Sequence, residues 1–331
     1  MKEQVNIIKK SQGKIKITGK QASHYLEMTG PLLAIILFAV FMAIAAPRFF
    51  LLQNLINILY SAASIIILAI GMTFVITGAG IDLSVGSMLA LSGVLMVYYV
   101  KYTGLPPIFG LPIALIVGTL LGTINGLLIV KLRIPDFITT IATMIGYRGI
   151  VLILAGGYSL YHFPAEVIFL GKYRLFGVFP LAIIIAILVT VTGFFLYRYT
   201  TFGRYTAAMG GNREAAILAG INVDKYKILN FAFIGFLAGM AAIITVGRMD
   251  SFHANFGKYM EIDTIAAVII GGTSLYGGIG KIWGSLSGAI LMAMVSNGLV
   301  ILRLPYFYQY LAVALVIIIS VTMYRLRAKR E

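Results

Sequence analysis

ILAIGMTFVITGAGIDLSVGSMLALSGVLMVYYV, residues 67–100, reads as two apolar stretches that meet at a polar, glycine-broken seam. The runs on either side, roughly 55–77 and 83–100, each approach the ~20 residues a helix needs to cross hydrocarbon. Asp82 lies in the seam with Ser84 and Gly86 close behind it. An ionised carboxylate is costly in lipid. The seam is therefore expected at a membrane edge, or at a break in the helix that protein or water covers. Two roles are open for Asp82. It can cap the following helix by accepting hydrogen bonds from unpaired backbone N–H groups, or it can contact solute or take part in gating.

The same texture runs through the chain. Of 331 residues, 60% are hydrophobic and 11% charged, with a mean hydropathy of +0.98. Soluble domains carry about 25% charged residues, so the fold class is an all-α polytopic membrane protein. A β-barrel is excluded by the long unbroken apolar runs, because barrel strands alternate apolar and polar. There is no cysteine, and the three histidines are scattered, so no disulfide, thiolate chemistry or Cys/His metal site is expected. The net charge of +15 is read as basic loops retained on the inner side, with no nucleic-acid partner.

Ten spans are expected, at about 29–46, 55–77, 83–100, 110–130, 138–156, 178–197, 228–246, 263–272, 284–302 and 306–324. The eighth is short and runs into GGTSLYGGIG, so a re-entrant or broken helix is the alternative there. With the N-terminus inside, Lys and Arg number eighteen on the inner side and seven on the outer, leaving Arg148 within a span. That bias places both termini in the cytoplasm. A cleaved signal peptide is the competing reading of the first span, but 28 mostly polar residues precede its apolar run. Residues 1–28 are read as a basic arm touching anionic lipid, 29–325 as one transmembrane domain and 326–331 as a cytoplasmic tail.

Two patterns recur in order. GIDLSVGSMLALSG begins at Gly80 and EIDTIAAVIIGG at Glu261; NGLLIVKLRIPDF begins at Asn125 and NGLVILRLPYF at Asn297. Each pair is five spans apart, so equivalent elements face opposite sides of the membrane, as in an inverted-topology repeat. Asp263 is then the counterpart of Asp82, and both are read as helix caps. Glycines at every fourth position, at 118, 122 and 126, at 235 and 239, and at 284 and 288, are read as close helix-packing faces.

The longest inner loop is 198–227. Its centre predicts a short surface helix, with Asn212 as N-cap, Glu214 in the first turn and Gly220 as a left-handed terminator. So short a helix is not stable alone in water. It lies either on its own bundle or in a groove of another protein.

Taken together, ITGAGIDLSVGSMLALSG (76–93), GGNREAAILAGINV (210–223) and EIDTIAAVIIGGTSLYGG (261–278) resemble the permease subunits of bacterial ABC importers for monosaccharides. The ribose, galactose and xylose permeases are the type, and the resemblance covers about residues 30–325. It implies a homodimer or a pair of paralogues in the inner membrane, with a cytoplasmic ATP-binding subunit and an extracytoplasmic sugar-binding protein as partners. It also implies that Gly211, Asn212, Arg213, Glu214, Ala215, Ala216 and Gly220 form the coupling helix that docks on the ATPase. The segment MDSFHANFGKYMEID (249–263) departs from the family's usual small-residue, proline-containing stretch.

No engine is visible in the chain itself. LYGGIGKI (275–282) lacks the first glycine of a phosphate loop and has Ile282 where the Mg²⁺-binding hydroxyl belongs. The chain is therefore expected to bind no cofactor and to be no enzyme, with ATP and Mg²⁺ used by the partner. Almost all of the eleven acids are read as lying in loops or at span ends, unlike the mid-membrane acids of an ion-coupled carrier. Arg148 is read as an anchor to a carboxylate or to backbone carbonyls. Ser84, Ser87, Asn125, Thr273 and Ser274 are candidate weak contacts along a translocation path. The rival functions are a gradient-driven carrier, a facilitator, and an ABC importer of a solute other than sugar.

Overall fold

The structure, a computed structural model, describes residues 19–305 together with Phe307, Tyr308, Leu311, Ala314, Leu315 and Ile318. The first 18 residues of the basic arm, most of the expected span 306–324 and the tail 326–331 lie outside the described residues.

Helices stand at each of the earlier expected spans: α1 (Gly19–Ala45), α2 (Leu52–Thr77), α3 (Val85–Tyr102), α4 (Gly110–Lys131) and α5 (Asp136–Ala155). They continue with α7 (Leu181–Tyr199), α10 (Val223–Met249), α11 (Met260–Ile270) and α12 (Ile282–Ile301). Among the described residues, seven helices are long and apolar enough to cross a membrane, namely α2, α3, α4, α5, α7, α10 and α12. α1 reaches at least ten residues further toward the N-terminus than expected, and among the described residues Leu32–Ala45 is an apolar stretch of it. α11 is the expected weak span. Its 11 residues rise only about 16 Å, half a bilayer, before Gly271 and Gly272 end it. A short helix, as the re-entrant or broken alternative expected, is what stands there.

α2 is the central post, with nearly every side chain from Ala62 to Thr77 buried. Its polar groups pair across the bundle. Ser64 meets Thr245 of α10 at 2.8 Å, Thr73 meets Ser285 of α12 at 2.7 Å, and Asn54 exchanges amide hydrogen bonds with Asn297 at 3.0 Å. Without such partners these groups would be unpaired in an apolar interior.

The glycine rows work as packing faces. Gly118 and Gly122 of α4 lie directly on the backbone of Phe231, Gly235 and Gly239 in α10, with no room for a Cβ. Gly284 and Gly288 of α12 lie the same way on Gly271 and Ala267, so α11 and α12 form an antiparallel hairpin. Helices approach this closely only where side chains are missing.

One end of the bundle carries the 198–227 segment. That segment, read as a loop with one helix, holds two: α8 (Thr201–Gly211) and α9 (Arg213–Leu218). The far end is covered by β1 (Leu160–Tyr161) paired antiparallel with β4 (Ser251–Phe252), by α6 (Ala165–Lys172), and by the β2–β3 hairpin (Arg174–Leu175, Phe179–Pro180). Asp250 ties this cover to α10. It accepts from the Phe163 N–H at 3.0 Å and pairs with Lys172 at 3.0 Å.

The Phe163 N–H is the main influence holding the Asp250 carboxyl below its ordinary value, and Lys172 adds to it. A folded-state pKa below the unfolded one stabilises at pH above about 3.9 and is lost as pH falls through the folded value. Amide exchange at Phe163, corrected for its intrinsic rate, should therefore accelerate below about pH 4, and Asp250→Asn should flatten that dependence. An unchanged pH profile in the variant would rule out this tether.

Candidate functional site

The seam at 78–84 unwinds because α2 runs out into Gly78, left-handed Ala79 (φ 52°) and Gly80. Asp82 then bends the chain back on itself. Its Oδ1 accepts from the Ser84 N–H at 2.8 Å and from the Ser84 hydroxyl at 2.7 Å. Asn125 of α4 donates to the same hydroxyl oxygen at 2.7 Å, and Tyr147 of α5 donates to Asn125 Oδ1 at 3.0 Å. One carboxylate thus registers the seam against two helices. Asp82 is 0% exposed, and its Oδ2 has no hydrogen-bond partner. Burial pushes this carboxyl up to about 6.

The capping reading is corrected in detail. Asp82 satisfies a backbone N–H, but that of Ser84, two residues on. Ser84 itself is the N-cap of α3, and its side chain makes no cap bond. The reason is local: an Asx turn lies between the aspartate and the helix, which starts only at Val85. Asp263 is not a cap either. α11 begins at Met260 after left-handed Tyr259 (φ 70°), so Asp263 sits inside the first turn alongside Glu261. The N-terminal macrodipole favours negative charge there.

The segment before α11 folds inward to meet α3. The carbonyl of Gly257 and the carboxylate of Glu261 lie against Gly86, in the first turn of α3, where a Cβ would collide with both. Arg148 holds this segment in place, donating to the carbonyls of Phe256 at 2.6 Å and Ala254 at 3.2 Å. Backbone carbonyls are therefore the anchor that sequence reasoning left open for Arg148, with Glu261 as an electrostatic neighbour. The polar run that departs from the family pattern is this inward fold. Glu261 was missed as a site residue, although it stands two positions before Asp263 in the same quoted motif.

The acids are thus less peripheral than expected. Asp82 is fully enclosed, and Glu261 keeps a buried, unpartnered Oε2. Of the other candidate path residues, Ser87 is buried without a partner, and Asn125 belongs to the Asp82 network. Thr273 and Ser274 serve a different place. Thr273 Oγ1 accepts from the Lys281 N–H at 3.1 Å, and Ser274 Oγ accepts from the Tyr276 N–H at 3.3 Å. Both therefore shape the turn between α11 and α12.

That turn supports the 198–227 platform. Gly278 donates its N–H to the Thr77 carbonyl at 2.8 Å, and Gly210 packs against both residues with no space for a side chain. On this base stands α9. Asn212 Oδ1 caps it by accepting from the Ala215 N–H at 2.9 Å, and Glu214 is in its first turn. Gly220 ends it at φ 79°, with paired bonds from Gly220 N–H to Ile217 and from Ile221 N–H to Ala216. This is a Schellman termination. Ala216 is buried against Met209 and Val223, and Arg213 pairs with Asp224 at 3.3 Å. Leu218 is 89% exposed, and Ile217 beside it is also open. α9 is held on its own bundle through Ala216, and it presents apolar side chains on its other side.

The family described as branched-chain amino acid transport system, permease component, matches residues 54–321. The ribose import permease protein of Haemophilus influenzae is 38% identical over 305 residues, covering 91% of this chain and 94% of the relative. That of Escherichia coli K12 is 37% identical over 298 residues, covering 88% and 91%. The xylose transport system permease protein of the same strain is 31% identical over 331 residues, covering 82% and 84%. No solved structure matches the chain.

Proposed function

The chain belongs to this permease family, and from that premise we propose that it is the membrane-spanning subunit of an ATP-driven, binding-protein-dependent monosaccharide importer. The observation that carries the proposal is α9. It is a capped six-residue helix, fixed beneath by Ala216 and bare above at Leu218. Its own bundle supports one side through Ala216, and an ATP-binding subunit docked on the other would cover the exposed Leu218 and Ile217. Gly211 to Gly220 is then the coupling segment, and the platform end faces the cytoplasm. ATP and Mg²⁺ are bound by the partner, and this chain has no catalytic role. Relatives named for ribose and xylose support a sugar as the solute.

The remaining architecture follows from the same reading. Ten spans require the segment 306–324 to cross once more, returning the C-terminus to the cytoplasm. An inverted repeat is supported by α3 and α11, which both follow irregular segments, with Gly86 of α3 lying against Glu261 of α11 and against Gly257 just before it. A second permease copy is supported by α5. Gly146 and Gly149 have nothing within 4 Å, whereas the other glycines inside the spans α2 to α12 are closely packed among the described residues. Transport is alternating access: ATP binding and hydrolysis move the platform, and the junction at Asp82 and Glu261 shifts with it. Sugar recognition rests mainly with the extracytoplasmic binding protein.

The direct test uses mild-detergent purification from the native host. The wild-type permease should carry an ATP-hydrolysing subunit, and Leu218→Asp should lower its recovery about tenfold while leaving the permease itself folded. Full recovery with the variant would remove α9 from the interface. The fully enclosed Asp82 and the buried Oε2 of Glu261 favour one rival, a carrier coupled to an ion gradient.

A further inference from the structure

We infer that Lys227 is the positioning residue that transmits movement of the α9 platform to the Asp82 junction, an inference that rests on the importer reading. Lys227 lies in the first turns of α10, nine residues after Leu218. Its ammonium makes an ion pair with Asp136, the first residue of α5, and the two side chains are only 15% and 20% exposed. It also donates to the carbonyls of Ala79 at 3.2 Å and Gly78 at 3.5 Å. One cation thereby joins the start of α10, the start of α5 and the unwound end of α2.

Gly80 makes this convergence possible, since a Cβ there would strike both Asp136 and Lys227. The seam carbonyls lie three and four residues before Asp82, which accepts from Ser84 and through it is linked to Asn125 and Tyr147. The connection is continuous: α9 and its Schellman turn, the Asn222 cap of α10, Lys227, the 78–80 backbone, Asp82 and the start of α3. A lysine suits the task because three donors on one centre serve three oxygens at once. An apolar side chain of similar length would keep the packing and lose the link.

The test compares Lys227→Met, Lys227→Arg and the neutral pair Lys227→Met/Asp136→Asn in the complex reconstituted with its ATP-binding subunit. The neutral pair guards against misfolding, because it leaves no buried charge uncompensated. Assembly and ATP hydrolysis should stay within about twofold of wild type, while sugar moved per ATP falls about tenfold or more in both methionine variants. Lys227→Arg should recover most of the ratio. Amide exchange over 76–84 should respond to a non-hydrolysable ATP analogue in wild type and stop responding in the neutral pair.

A wild-type ratio in the neutral pair would overturn the assignment. So would transport falling only in step with assembly, which is what a purely structural ion pair gives. If the wild-type permease holds no ATP-hydrolysing partner at all, the importer reading fails first, before any variant is compared.

Discussion

Replacing Asp82 with Leu is expected to abolish transport and to destabilise the permease by about 2–5 kcal/mol, whereas Asp82→Asn retains most of both. The asymmetry comes from the bonds. Leucine strands the Ser84 N–H and removes the acceptor of the Ser84 hydroxyl, on which the Asn125 and Tyr147 bonds depend. Asparagine keeps an acceptor oxygen where Oδ1 now sits. It places its amide nitrogen where Oδ2 already lacks a partner.

The pH dependence separates the two roles proposed for the carboxylate. Burial raises the folded-state pKa to about 6, above the ordinary aspartate value. Folding then binds the extra proton, so stability is fullest at low pH and declines as pH rises through about 6. Asn, which carries no charge, should remove that decline. Thermal unfolding of wild type and variant between about pH 4 and 7 reads the difference. A folded Asp82→Asn permease with transport lost as completely as in Asp82→Leu would assign the charge itself a part in the cycle.

The second large effect is at the crossing of α4 and α10. A Cβ on Gly122 would run into the carbonyl of Phe231 and the Cα of Gly235. Both are backbone atoms inside helices and cannot rotate away, so Gly122→Leu must push the helices apart. The expected cost is about 3 kcal/mol, with loss of the monodisperse peak in detergent. Gly146→Leu, on the open face of α5, is the matched control. It should leave the thermal midpoint of the single chain unchanged and lower the dimer fraction on native mass analysis. Equal damage from both variants would mean that α5 is packed within its own chain, and an unchanged dimer fraction would place the partner copy elsewhere.

Features that depend on near neighbours in sequence were legible without a structure. Asn212, Glu214 and Gly220 announced a short surface helix, and α9 has that cap, that charge and that terminator. The four-residue glycine spacing announced faces that pack on backbone, and Gly118, Gly122, Gly284 and Gly288 do so. Features set by distant contacts were not legible. α8 was hidden because its glycines and aromatics read as loop, and only its packing against Thr77, Tyr197 and α10 makes it a helix. Asp263 looked like Asp82 by motif, yet Tyr259 starts its helix earlier and Glu261 takes the place at the junction. The inward fold of 249–259 could not be foreseen either, because the guanidinium that holds it comes from α5, over a hundred positions away.

The central claim is that transport is driven by ATP through a partner seated on α9, with the buried carboxylates serving structure and positioning. The most direct measurement is sugar uptake in cells treated with a protonophore while cytoplasmic ATP is held constant. Uptake that continues near its untreated rate is the result predicted here. Uptake that collapses with the proton gradient at constant ATP would contradict it, and would make Asp82 and Glu261 the coupling groups of a different machine.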